Sequence, residues 1–351
     1  MLNRRALAVA LLCALPVLPA FAEEAAPAPT VKWVIPWKAG MELKYATESN
    51  EVEVRDGKRQ HERTRSNDTM RLTQATADGF QQTWTSADPQ FDVLEGDKAM
   101  EGLARETFAK VGDLEVVVAL DKDGNYARIE NIDALSKFMR EAMRPLASQG
   151  LAKQGDMNES DRQEAAEMVD GILDRMTQPA VVEAMIGRDL QWYNGFVGID
   201  IEPDTDYGVE TELPNPMGGP AFPAKLTFSL SVSEDDPDDL FVAFEQTIDP
   251  VKGAKALAAM AATLVGEEHK DGLDDVIKSI EVKDEGLFVV HRPTGVIEMF
   301  ETTRTTKVAG RDKVERNRMR LTNGDHAHEW VDEQEGTEAE AKAEAKAEGD
   351  A

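Results

Sequence analysis

Residues 226–233 read LTFSLSVS: Leu226, Phe228, Leu230 and Val232 alternate with Thr227, Ser229, Ser231 and Ser233. Strict alternation is the pattern of a strand with one face on a core and the other in water. An acidic turn at 234–239 (EDDPDD) leads into Leu240, Val242, Phe244, Gln246 and Ile248, a return arm on one parity. Half-wet hairpin neighbours belong to antiparallel sheets, so this stretch decides the fold class.

Upstream, Met41, Leu43 and Tyr45 alternate with polar residues, and Val52 and Val54 continue on the opposite parity. The switch predicts a β-bulge near Ser49-Asn50. Asp56-Gly57 signals a hairpin turn, and the return arm carries Met70 and Leu72. Arms of this length extend about 50 Å at about 3.3 Å per residue, so the sheet must coil or bend. Leu114, Val116, Val118 and Leu120 make a further strand closed by Asp123-Gly124-Asn125.

The period then changes. Ile132, Leu135, Met139, Met143 and Leu146 mark one helical face, and Ser160 with Gln163 reads as a capping box. The helix after it carries Ala165, Met168, Val169, Ile172, Leu173 and Met176, and Pro179 opens a third with Val182, Met185, Ile186 and Leu190. Asp249-Pro250 starts another helix, and strands over 287–290, 296–308 and 314–321 close the fold. Met70-Arg-Leu-Thr73 recurs as Met319-Arg-Leu-Thr322 at the end of a second return arm. The fold class is α+β: a strongly curved, half-barrel-like antiparallel sheet with an inserted helical block at about 132–190. A single domain, 23–331, lies between an N-terminal leader, 1–22, and a disordered tail, 332–351.

The leader reads MLNRRALAVALLCALPVLPAFA. Arg4 and Arg5 precede an apolar run too short to span a bilayer, and Ala20-Phe21-Ala22 supplies the small residues for cleavage before Glu23. The reading is a periplasmic or secreted protein with no transmembrane segment after cleavage. Cys13, the chain's one cysteine, follows Leu12 where a lipoprotein signal needs a small residue, so it is lost with the leader and the mature chain is cysteine-free. Removing the leader takes two of 39 basic residues and none of the 67 acidic ones, deepening a net charge of −28. No basic stripe interrupts the acidity, so nucleic acid and anionic lipid surfaces are disfavoured partners. The tail, DEQEGTEAEAKAEAKAEGDA, holds nothing larger than alanine to bury.

Candidate sites are few. Asp121-Lys-Asp123-Gly-Asn125 copies the opening of an EF-hand loop, but Tyr126 and Ile132 stand where that loop needs glycine and a bidentate glutamate. His326 and His328 lack an implied third ligand, with His61, His269 and His291 scattered. No metal and no cofactor is called for. Gly-x-Ser-x-Gly, Ser-x-x-Lys, His-Glu-x-x-His and phosphate-cradling glycine loops are absent from the sequence. Met139, Met143, Met157, Met168, Met176 and Met185 all lie in or beside the helical block, and methionine suits surfaces that adapt to varied apolar partners.

Three segments, DKDGNYARIENIDAL (121–135), LPNPMGGP (213–220) and RPTGVIEMFETTRT (292–305), resemble uncharacterised bacterial secreted proteins of the domain-of-unknown-function kind. The arrangement also resembles the half-barrel of periplasmic lipoprotein carriers, in which helices lid a curved sheet over an apolar hollow. That resemblance implies a carrier of an apolar or amphipathic ligand such as a lipid. Phe228, Leu230, Val242 and Phe244 would wall the hollow, and Met139, Met143 and Met168 would cover it. The alternative is a structural or assembly factor gripping another envelope protein; an enzyme with a dispersed site is a third reading.

The leader makes a direct prediction: the intact mass of the mature protein corresponds to a chain beginning at Glu23. A diacylglycerol adduct on Cys13, or a retained Met1, contradicts it.

Overall fold

The computed structural model describes residues 30–324, apart from 100, 111–113, 153–157, 214–220, 235, 250, 266–279 and 309. The Ala22–Glu23 junction, the tail, His326 and His328, His269, Met157 and most of the LPNPMGGP loop lie outside them.

The chain runs β1 (Val31–Lys32), β2 (Glu42–Arg55), β3 (Lys58–Thr76), β4 (Gly79–Glu95), α1 (Glu101–Ala109), β5 (Glu115–Leu120) and β6 (Tyr126–Ile129). The helices α2 (Ile132–Ala152), α3 (Glu159–Met176) and α4 (Pro179–Gly195) follow. Then come β7 (Asp200–Ile201), β8 (Tyr207–Leu213), β9 (Phe222–Val232), β10 (Asp239–Ile248), α5 (Lys252–Val265), β11 (Glu281–His291), β12 (Val296–Val308) and β13 (Arg311–Leu321). Eleven strands form one curved, open antiparallel sheet in the order β6-β5-β4-β3-β2-β13-β12-β11-β10-β9-β8, and β1 pairs separately with β7. The α+β class with an antiparallel sheet and helices packed on it is the observed architecture.

Two local expectations are corrected. Pairing of β2 with β3 and β13 runs without a register break from Tyr45 to Arg55, so no bulge lies at Ser49-Asn50. The valines change parity because they sit on the other face of one regular strand. Register shifts lie instead between β3 and β4, where Asp88 takes a positive φ of 52° before Pro89, and also between β5 and β6 and between β11 and β12. Ser160 is not a cap: α3 has already begun at Glu159, and Arg162 N–H donates to the Asn158 carbonyl (3.0 Å). Pro179 does open α4, and Asp249 caps the start of α5 by accepting from Val251 N and Lys252 N (2.8 and 2.7 Å). Those two amides hold its carboxyl below the usual range.

The helices share one face of the sheet. Tyr193 of α4 packs on Tyr45, Leu257 of α5 joins Leu213, Phe222 and Ala224, and Phe108 of α1 meets Phe91. The α2 residue Leu135 packs with Ile129 and Val182, and α3 rests on α2 and α4. Residues 31–37 dock on the same face, with Trp33, Ile35 and Trp37 all buried. The Trp33 indole donates to the Gly295 carbonyl (2.7 Å). Gly295 has φ +68°, and a Cβ there would lie 2.0 Å from the Val34 carbonyl, so this turn admits the backbone of 31–37 only because it is glycine.

Among the described residues, nothing packs on the opposite face. There β3 presents Arg59, Arg63, Arg65 and Arg71, and β13 presents Arg316, Arg318 and Arg320, with β2 between them. The repeated Met-Arg-Leu-Thr segments are the two neighbours of β2. Met70 and Leu72, like Met319 and Leu321, face the helices while Arg71 and Arg320 face outward. These arginines, interleaved with Glu42, Glu48 and Glu301, are brought side by side by pairing strands some 250 residues apart in sequence.

Candidate ligand-binding site

The walls named from strand parity are buried: Phe228 at 8%, Leu230 and Val242 at 0% and Phe244 at 4% exposure. They form one patch, because Phe244 lies opposite Phe228, and Val242 opposite Leu230, across the β9–β10 ladder. The space in front of them is occupied. The end of α4 lays Trp192 on the Phe244 ring (centroids 4.0 Å apart), and Phe196 meets Phe228, Phe244 and Phe288 at 5.3–5.7 Å. Trp33 closes on Phe288 from the N-terminal segment (5.7 Å). Gly286 is bare because Phe244 lies over it; a Cβ there would come within 2.1 Å of that ring.

The intended cover is not brought to these walls. Met139 is half-buried against Ile129, Leu135 and Val182 in a separate cluster, and Met143 is half-buried on the same helix. Met168 is 68% exposed on α3. Ile172, Met176 and Met185 are exposed as well. On α3 the ridge Val169–Leu173–Thr177 turns inward, whereas Met168, Ile172 and Met176, each four residues on from the last, form an outward apolar stripe.

Polar groups inside the core are matched in pairs. Tyr45 donates to the Ile297 carbonyl (3.2 Å) and accepts from Tyr193 (2.7 Å), and burial pushes both phenols well above the usual tyrosine range. The Gln82 amide donates to Asn194 (3.0 Å), and the Trp84 indole donates to Gln82 (3.1 Å). These donors each have a protein partner, whereas the buried indole N–H of Trp37 in the same core has none.

Along the strands the helix-side face changes from apolar to charged within two residue pairs. One row across the sheet reads Thr47, Met319, Phe300, Phe288, Val242, Leu230. Four residues along, the row reads Glu62, Glu51, Glu315, Arg304, Asp284, Gln246. Arg304 grips Asp284 through two hydrogen bonds (2.7 and 2.6 Å), and Arg188 of α4 donates to Glu315 (3.0 Å). Lys313 bridges Glu315 and Glu51 (2.6 and 3.0 Å). Burial works against ionising Glu315, but Lys313 and Arg188 outweigh it and hold the carboxyl at about 2. Glu51 is raised instead, because its burial outweighs Lys313 while Glu315 and Glu62 add repulsion. This row holds α4 just past its middle, at Arg188, as the aromatic cluster holds its end.

The Asp121 carboxylate accepts from the backbone N–H groups of Asp123 and Asn125 (both 2.9 Å), so the EF-hand-like segment is a hairpin turn between β5 and β6. Among the described residues no group of three or more His, Cys, Asp or Glu side chains is arranged to hold a metal ion, and no helix is long and apolar enough to cross a membrane.

No family model and no curated protein sequence matches this chain. Among solved structures, lipovitellin, studied for its lipid–protein interactions, is similar over 84% of this chain at 8% identity with a TM-score of 0.43. This chain spans 26% of that one's length. A protein from Bacteroides fragilis described as exported and as having a YmcC-like fold is similar over 83% of this chain and 97% of its own. There the identity is 10% and the TM-score 0.21. At these values neither likeness carries an argument about this chain.

Acid stability follows from the charged row. Glu315 has a folded pKa below its unfolded one, so its contribution is present above about pH 4.5 and is lost as pH falls toward 2. The displacement corresponds to about 3 kcal/mol. Urea unfolding at stepped pH should show Glu315→Gln less stable than wild type at pH 7, with a flatter loss between pH 5 and 2. Parallel acid limbs in the two proteins would contradict the assignment.

Proposed function

We propose that this chain is an exported binding or carrier protein for an apolar or amphipathic ligand, and that residues 23–331 act as one domain behind the cleaved leader. The ligand is held on the helical layer and not in an enclosed hollow. The observation that carries this reading is the exposed stripe Met168–Ile172–Met176 on α3, together with exposed Met185 on α4. A soluble surface does not ordinarily spend four large apolar side chains on one helix pair, and flexible thioethers accommodate ligands of varied shape. Phe228, Leu230, Val242 and Phe244 support the scaffold; they meet ligand only if α4 leaves the sheet.

The filled aromatic core also favours a second reading, a structural or assembly factor that uses the same stripe to hold another envelope protein. Thermal melting with a fatty acid, a phospholipid and a lipopeptide separates the two. The carrier reading expects stabilisation of roughly 2.7 kcal/mol when free ligand is about a hundred times its dissociation constant. The double variant Met168→Glu, Ile172→Glu should keep the native circular-dichroism spectrum and lose the shift, whereas Phe244→Glu should unfold. If wild type shows no shift with any of the three, the carrier reading fails and the assembly-factor reading takes its place.

A further inference from the structure

We propose that the outer face of α3 is a self-association surface, on which a second copy of this chain lays its own α3 antiparallel, with Glu164 opposite Arg175 at both ends of the contact. The helix is placed for this. α3 packs on α2 and α4, and its far side carries Met168, Ile172 and Met176 in the open. Its 18 residues extend about 27 Å at about 1.5 Å each. Gly171 lies beside the stripe in mid-helix, an exposed position where glycine is destabilising relative to alanine. A Cβ built there would meet nothing within 4 Å, so packing inside this chain does not call for glycine. A second helix lying close against that side does.

The charges of α3 select the partner and the register. Asp170 and Asp174 are paired with Arg144 and Arg140 of α2. Glu164 and Arg175 are exposed and ion-pair with nothing among the described residues. They stand eleven residues apart, three turns and about 20°, so both lie on one edge of the stripe about 16 Å from each other. In a two-fold pair of antiparallel helices each edge meets the same edge of the other copy, so a glutamate and an arginine on one edge are self-complementary. Setting 164 against 175 forms two equivalent ion pairs.

That register also disposes of the remaining charges. Met168 comes opposite Gly171 of the second copy. Glu167, Asp170 and Asp174 come opposite its Ile172, Val169 and Ala165, and positions 159 and 161 opposite its Ala180 and Gln178. No carboxylate of the helix faces another. Glu167, one turn on from Glu164, lies beside the same arginine. Arg162, two residues before Glu164, falls on the opposite side of the helix. Exposed ion pairs contribute little affinity and serve to fix register; burial of Met168 and Ile172 from both copies supplies the attraction. One helix pair buries less than about 1,200 Å², which makes the dimer weak and reversible.

The pairing covers the stripe to which the carrier reading assigns ligand, so ligand and second copy compete for it. The test reads the pairing through Glu164 and Arg175, which that reading does not use, so either claim can fail without the other. Sedimentation of the exported, processed protein up to high micromolar concentration should show a reversible monomer–dimer equilibrium with no larger species. Glu164→Arg and Arg175→Glu should each weaken it about tenfold or more, because like charges then face each other at both ends. The first of these lowers the net negative charge, so a general charge effect would strengthen association instead. The double variant should return the dimer to within a few-fold of wild type, with native circular dichroism throughout. A wild type that stays monomeric, single variants that associate as well as wild type, or a double variant no better than either single one overturns the proposal.

Discussion

An open sheet of eleven strands buries one side of itself only where something large and apolar lies on it, and here that object is the end of α4. Trp192, Tyr193 and Phe196 leave the helix within five residues and reach Phe244, Tyr45 and the Phe228–Phe288 pair. Each buries a large ring, and each aromatic pair adds about 0.5–1.5 kcal/mol beyond area burial. The N-terminal Trp33 completes the same cluster. The position of the helical layer, the sealed interior and the outward turn of the α3 stripe all follow from this contact.

Strand length explains the division of labour on the sheet. A 19-residue strand such as β3 extends about 63 Å, farther than one helix layer covers. The helix-side face is apolar where α4 ends and charged beneath its middle, with Arg188 and Asp189 reaching Glu315 and Asn317 (3.0 and 3.1 Å). The other face is left to ladders of arginine and glutamate, which keep it wet. Screened surface pairs of this kind contribute little stability individually, and what they provide is a charge pattern.

Much of the architecture was legible in residues. LTFSLSVS and its return arm put Phe228 and Phe244 on the buried parity, and the change of period at Ile132 marked the helices. The parity switch in β2 misled, because a regular strand with apolar residues on both faces looks like a bulged strand with one. Trp33, Ile35 and Trp37 carried an alternation that could have been read, but Pro36 and the shortness of β1 hid it. The plug was visible as aromatics clustered in LQWYNGF (190–196); their destination was not, since strand patterns show which face is buried and not what fills it. The arginine face was invisible for a different reason: it exists only once β3 and β13 flank β2.

The sealing of the sheet by α4 is tested most directly by chemical denaturation of Phe196→Ala. Phe196 is 2% exposed among three phenylalanines from β9, β10 and β11, so the account predicts a loss of about 3–5 kcal/mol, with α4 amides exchanging faster than those of β10. A loss below about 1 kcal/mol, with α4 exchange unchanged, would mean that the helix end does not close the sheet.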